Sequence, residues 1–310
     1  MPNSPVAAVL RKFGVVAEES DERLESRSGA GIHAVRTADG QSAYLKFTPA
    51  AQGPDALAAA RRELLFYRCL APIAPVRSPE LLMSADTDDG VAMLLGASGK
   101  PLPVTAWTPD MWATLGRGLA SLHNMHVPAE ANWGRPDALR QAMAEPDLPT
   151  IEAFWAPSLP LFAEIVSRRA ELERWTEALP RVFIHGDCHT DNVTHSGESL
   201  ILLDWQESGA GRPGSDLAFL NVRAVPAGVT TPPVLLDAYL RCRPHDRRTL
   251  ELALLAEELA VFVFQWPPFA AFNSPTGIDR VRQRTRDLSE RWVRLSERGA
   301  RNQSTRAAGN

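Results

Sequence analysis

The chain has 310 residues, 45% hydrophobic and 23% charged, with a formal net charge of −4. That length holds one bilobal unit or two small domains, and the mild acidic balance speaks against a nucleic-acid partner. Cys69, Cys188 and Cys242 are too far apart for a disulfide framework or a cysteine metal site, MPNSPVAAVLRKFG carries no signal peptide, and the apolar stretch 250–266 is broken by Glu251, Glu257 and Glu258, so a cytoplasmic protein without a membrane partner is expected.

Val6, Val9, Leu10 and Phe13 follow helical spacing and predict a short opening helix that Gly14 stops. Strands are expected over 22–26, 33–37 and 42–47, the last two joined by an Asp39-Gly40 turn. A serine- and glycine-rich turn, Ser26 to Gly31, precedes the alternating run Ala43-Tyr44-Leu45-Lys46-Phe47. A helix over 55–69 carries Glu63 as its only acidic residue after Asp55. Prolines 72, 75 and 79 then lead to strands over 80–84 and 91–95. The acidic turn Asp86–Gly90 lacks the pattern of a calcium loop and reads as a solvated hairpin tip. Gly96-Ala97-Ser98-Gly99-Lys100-Pro101 reads as a linker.

A helix over 109–123 has Thr108 as N-cap and Pro109 at its first position. Further helices are expected over 136–143, 151–155 and 161–179. Trp133, Trp155 and Trp175 fall in this region, where tryptophans either pack or line a pocket.

The informative stretch is VFIHGDCHTDNVTHSGESLILLDWQE, residues 182–207. Two apolar runs, 182–184 and 200–203, are expected as neighbouring strands with a polar turn between them. Asp187 and Asn192 lie in that turn, and Asp204 closes the second run. Phosphoryl transfer needs one carboxylate at the attacking hydroxyl, and a second carboxylate with an amide oxygen to hold magnesium against phosphates. Two other readings stand beside this one: a self-capping turn, and a Cys188 nucleophile needing a base and an oxyanion site. Beyond it come a Gly-rich segment, a short helix over 217–222 that Asp216 could cap, helices over 234–241, 249–266 and 279–298, and a polar tail.

His185-Gly186-Asp187-x-x-x-x-Asn192, followed by Leu-Leu-Asp204-Trp205, resembles the aminoglycoside phosphotransferase and choline kinase family, whose members share the protein-kinase-like fold. Gly186 stands where protein kinases carry Arg, Asp204-Trp205-Gln206 replaces Asp-Phe-Gly, and no Ala-Pro-Glu follows. The resemblance implies an α+β bilobal fold. The N-lobe, 1–95, would hold an antiparallel sheet plus a helix. A hinge over 96–105 would lead to a mainly helical C-lobe, 106–298, with a substrate-binding insert at 128–180 and a flexible tail at 299–310. It also implies Asp187 as catalytic base and Asn192 and Asp204 as Mg2+ ligands. Lys46, paired with Glu63, would meet the phosphates of ATP or GTP. Ser28 and Gly29 would fold over those phosphates, Leu95 and Ala97 would border the base, and Asp216 would brace the catalytic loop.

The expected activity is therefore phosphate transfer to a small-molecule hydroxyl, with an aminoglycoside-like or other antibiotic as the leading acceptor. A metabolic kinase acting on a sugar, an amino alcohol or an amino acid is the alternative. A non-catalytic nucleotide-binding protein is a third reading, against which the intact Lys46, Asp187, Asn192 and Asp204 stand. A cationic acceptor calls for carboxylates. Glu257 and Glu258 are the candidates, with Trp155, Trp266, Phe269 and Phe272 as an aromatic wall. The competing reading places both glutamates on the wet face of a helix. ATP against GTP, the phosphorylated hydroxyl, and monomer against homodimer stay open.

Overall fold

The computed structural model describes residues 5–18, 31–127, 132–197 and 199–307. The strand expected over 22–26 and the loop residues Ser28 and Gly29 lie outside them.

The N-terminal lobe is built on a five-stranded antiparallel sheet. In chain order come helix α1 (Pro5–Phe13), strands β1 (Val16–Ala17), β2 (Gly31–Arg36) and β3 (Ser42–Pro49), helix α2 (Pro54–Leu65), and strands β4 (Leu81–Thr87) and β5 (Gly90–Gly96). The spatial order is β1-β2-β3-β5-β4. Gly14 ends α1 at φ +64°, a left-handed conformation that suits glycine. Lys46 in β3 pairs with Ile32 on one side and Met93 on the other, which places it in mid-sheet. β5 is buried on both faces, so it reads GVAMLLG without alternation. Leu45, Ala92 and Leu94 pack with Phe13 and Val15 at the end of α1, while Val91 and Met93 join the core that takes in Ala60 and Leu64 of α2. Beyond Leu65 the chain continues as a π-helical turn, Phe66–Leu70, where the sequence predicts plain α-helix to residue 69.

Strand β6 (Lys100–Pro101) follows the linker, and the C-terminal lobe opens with α3 (Pro109–His123). Thr108 Oγ1 accepts the Met111 amide at 3.3 Å, capping α3 as its sequence predicts. Then come α4 (Ala138–Ala144), α5 (Leu148–Trp155), α6 (Phe162–Ser167) and α7 (Arg169–Thr176). The single helix expected over 161–179 is thus two, broken at Arg168, whose side chain bonds Glu164 and Glu171 on either side of the break.

The segment after α7 supplies β7 (Val182–Ile184), β8 (Val193–Ser196), β9 (Ser199–Leu202) and β10 (Gly209–Gly211). The runs expected as neighbours are not paired: β7 pairs with β10, and β9 pairs with β8, a strand the sequence reading did not predict. Helices α8 (Gly214–Ala224), α9 (Pro233–Cys242), α10 (Arg247–Phe264) and α11 (Pro275–Ala307) complete the lobe. The backbone of α11 stays helical past Arg298, into the segment expected as a tail. A second apolar core gathers Ile151, Trp155, Ile165, Leu172, Leu259, Phe262 and Trp292 under the insert. Among the described residues no helix is long and apolar enough to cross a membrane.

Candidate active site

Lys46 extends from the middle of β3 into the space between the lobes. Its Nζ lies 2.6 Å from Glu63 Oε2 of α2 and 2.7 Å from Asp204 Oδ1. The Asp204 contact is an aligned hydrogen bond; the Glu63 contact is an ion contact without that alignment. Burial opposes the charge on Lys46, but the two carboxylates outweigh it and hold the ammonium protonated. Burial likewise pushes the Glu63 carboxyl up, and the Lys46 charge offsets part of that shift. Glu63 is fully buried, whereas the Asp204 side chain remains 26% exposed.

Asp204 has φ +61° and is the one non-glycine residue with positive φ among the described residues. A left-handed aspartate follows naturally from neither strand nor helix, and such strain concentrates where a side chain must be aimed. Helix α2 and the π-helical turn after it hold the following segment in place. Phe66 stacks on Trp205 at 3.7 Å between ring centroids, and Arg62 donates to the Gln206 carbonyl at 2.7 Å.

The second half of the site is the loop His185–Asn192. Asn192 Nδ2 donates to both the backbone oxygen and Oδ2 of Asp187, each at 3.0 Å. This leaves Asp187 Oδ1 and Asn192 Oδ1 without protein hydrogen bonds among the described residues. The two halves meet at Leu203. Its amide donates to the Asn192 carbonyl at 2.8 Å, and its carbonyl accepts from His185 Nε2 at 2.8 Å. With its proton on Nε2, His185 can accept the Asp187 amide at Nδ1, at 3.3 Å. Gly186 has φ +84°, and a Cβ there would sit 2.0 Å from the Glu207 carbonyl. That contact is a physical reason for glycine where protein kinases carry Arg.

Asp216 lies inside α8 and is fully buried, so it brackets the loop and is not an N-cap. Its oxygens accept the His185 amide at 2.9 Å and the Gly186 amide at 2.8 Å, and His123 Nε2 at 3.0 Å. Burial would raise this carboxyl, but the His123 hydrogen bond, together with the bond from the Gly186 amide, holds it below its ordinary value. Asp187 behaves alike. Burial acts upward, and the His189 contact and the Arg223 charge outweigh it and keep the carboxyl low. A thiolate nucleophile finds no support, because burial and the neighbouring Asp216 and Asp187 raise the Cys188 thiol well above its usual range.

Other expected residues fall differently. Leu95 is buried at the end of β5, and Ala97 is exposed with its amide already donating to the Ser42 carbonyl at 3.1 Å. Glu257 and Glu258 line no open pocket and lie on no wet face, for both are buried. Arg212 grips Glu257 through two hydrogen bonds of 2.9 and 3.0 Å, and Ser215 adds a third. Arg284 grips Glu258 at 2.7 and 2.8 Å. Trp155 is a core residue whose Nε1 donates to the Val263 carbonyl, and Trp266 packs against Phe154. Only Phe269 and Phe272 of the expected wall are exposed.

The sequence reading missed Arg212, although it is the lone charged residue between Glu207 and Asp216. His189, expected only as a histidine near Cys188, stands beside Asp187, its Nε2 3.7 Å from Asp187 Oδ2 and its Nδ1 3.5 Å from Asp191 Oδ2.

Solved structures share this architecture across nearly the whole chain. Amicoumacin kinase hAmiN, solved with AMP-PNP, Ca2+ and Ami, is 14% identical and aligns at a TM-score of 0.64, covering 92% of this chain and 94% of its own. The macrolide 2'-phosphotransferase MphH of Brachybacterium faecium is 21% identical at a TM-score of 0.59, over 91% and 97% of the two chains. A choline kinase of Cryptosporidium parvum is 12% identical at 0.60, over 95% and 96%. At these identities the likeness establishes the fold, which is the protein-kinase-like fold of small-molecule kinases. No curated protein sequence matches the chain. A family model, however, matches residues 30–252, a span that takes in Lys46, Glu63 and everything from Asp187 to Asp216, and by that match the chain belongs to the phosphotransferase enzyme family.

Proposed function

We propose that this protein transfers the γ-phosphate of ATP or GTP, with Mg2+, to a hydroxyl of a small molecule, and that its leading acceptor is an antibiotic. The observation that carries the reading is the meeting of Lys46, Asp204, Asp187 and Asn192 around Leu203. Four groups with complementary tasks in phosphoryl transfer converge there from two lobes.

In this reading Lys46 Nζ, kept charged by Glu63, turns from Asp204 to the nucleotide phosphates. Asp187 Oδ1 accepts the hydrogen bond of the acceptor hydroxyl and orients its oxygen in line with the γ-phosphorus. Because Asn192 Nδ2 fixes Oδ2, the carboxylate has one free oxygen and one orientation. A low Asp187 pKa suits an orienting group in a loose transition state, where little proton transfer precedes bond breaking. The donor set also fits a magnesium ion. Asn192 Oδ1 and the second oxygen of Asp204 are hard ligands, and among the described residues no cluster of three or more His, Cys, Asp or Glu competes for the metal. Bound there, Mg2+ would supply positive charge to the transferring phosphate.

The antibiotic acceptor draws on the named substrates of the amicoumacin kinase and the macrolide phosphotransferase. The choline kinase likeness keeps a metabolic amino alcohol as the second reading. The test is ADP release across a panel of antibiotics and amino alcohols. Asp187→Ala should lower kcat by roughly 10²–10⁴-fold with nucleotide affinity retained. Near wild-type turnover in that variant sinks the assignment.

A further inference from the structure

Two arginines that the phosphotransferase reading does not use converge beside the catalytic loop. Arg62 of α2 is anchored to the Gln206 carbonyl at 2.7 Å, and Arg135 approaches the next residue, Glu207, with NH2 to Oε2 at 3.5 Å. Glu207 itself lies against the loop, its carbonyl filling the space a side chain at Gly186 would need. Arg135 lies over β10. A Cβ at Gly209 would come within 3.4 Å of its Cδ, and one at Gly211 within 3.5 Å of its NH1. Both are ordinary contact distances, so the Arg135 side chain simply rests on the strand; the glycines themselves are required by the Trp133 carbonyl and the Ile184 side chain, which a Cβ would meet at 2.5 and 2.3 Å.

The charges in this corner do not balance. The Arg135 side chain is 10% exposed, and its Nε is buried without a hydrogen-bond partner among the described residues. Among the described residues its only ion contact is the long one to Glu207, which is itself 38% exposed and open to water. Arg62 is half-buried. Desolvation and the nearby charge of Arg135 both weaken its hold on its proton, and Glu207 alone opposes them. Arg135 thus faces one loosely held carboxylate with a desolvated N–H left over, and Arg62 holds the backbone carbonyl one residue before that carboxylate. Such groups are stabilised when an anion completes them, because a buried donor without a partner is costly, and guanidinium forks match carboxylate and phosphate geometry.

We propose that Arg62 and Arg135 form a binding site for a small oxyanion, the chemistry shared by inorganic phosphate and a carboxylate. It is built on Gln206 and Glu207 and not on the carboxylate of Asp204 that Lys46 meets. Glu207 acts as its resident competitor, swinging out to solvent when the anion enters. None of the roles assigned to Lys46, Asp187, Asn192 or Asp204 is needed for it.

The experiment is calorimetric titration of the full chain, saturated with Mg2+ and AMP-PNP so that the triphosphate position is filled. Inorganic phosphate and, separately, acetate are the probes, at constant ionic strength. The wild type should bind one of them saturably. Arg135→Gln and Arg62→Gln should each weaken that binding at least tenfold, and Glu207→Gln should tighten it severalfold by removing the competitor. The last variant keeps the test open should an arginine variant fail to fold. Tighter phosphate than acetate identifies a free phosphate or phosphate ester as the natural occupant; the reverse identifies a carboxylate-bearing molecule. Absence of saturable binding, binding that survives both arginine replacements, or weaker binding in Glu207→Gln overturns the proposal.

Discussion

Lys46 and Arg212 are both buried cations facing carboxylates, and the contrast between their surroundings is what distinguishes the proposed site from a strut. Lys46 has Glu63 fully enclosed on one side and Asp204 partly open on the other, so one of its two partners can be exchanged for a ligand. Arg212 is enclosed on every side. Glu257 takes Nε and NH2, Asp137 takes NH1 and NH2, and Glu177 adds a contact at 3.2 Å. Asp137 caps α4 and Glu177 follows α7, so a single guanidinium ties both ends of the helical insert to α10. A cation with a replaceable partner can do chemistry; one with all its donors engaged holds elements together.

This contrast can be broken from either side. The largest effect expected is on turnover. Lys46→Met should lower kcat/KM by about 10²–10³-fold, the scale for removing one preorganised donor. Its melting temperature should shift less than that of an Arg212 variant, because one of the two carboxylates it leaves, Asp204, is partly open to water. Steady-state kinetics and thermal unfolding on the same preparation check both halves.

Arg212→Met should show the opposite pattern. Leaving carboxylates buried and unpaired costs about 3–5 kcal/mol of stability, which urea unfolding reads directly. Adding Glu257→Gln should recover a large part of the loss, since it removes the most deeply buried of the stranded charges. Full stability in Arg212→Met would mean that the cluster is not a strut.

The smallest effect sharpens the picture through pH. The Asp216 pKa is lowered in the folded state, so its contribution to stability is complete above its unfolded value near 3.8 and is lost as pH falls through the folded value. Melting temperatures between pH 6 and pH 3 should therefore fall more steeply for the wild type than for Asp216→Asn. Parallel curves would detach Asp216 from the loop it is argued to hold.

The legible parts of this molecule are those whose spacing is local. Asp187 and Asn192 sit in one loop, and Lys46 occupies a strand with clear alternation, so pattern and chemistry point the same way. Glu257 and Glu258 show the limit. Their partners Arg212 and Arg284 lie 45 and 26 positions away, and a helical pattern says which face a residue shares but not what faces it. Strand β8 escaped because Val193-Thr194-His195-Ser196 is short and half polar, and only pairing with β9 makes it a strand. The break at Arg168 was hidden for a similar reason. Flanking glutamates that would serve equally well as pairs along one continuous helix instead close around the arginine at the junction of two.

The account stands on one spatial claim, that Asp204 and Asn192 present oxygens to a metal-bound triphosphate while Lys46 is within reach. Isothermal titration of AMP-PNP into wild type and Asp204→Asn, each with and without Mg2+, tests it most directly. The expected result is that the replacement weakens binding at least tenfold with Mg2+ present and far less in its absence. Equal affinities of the two proteins under both conditions would contradict it.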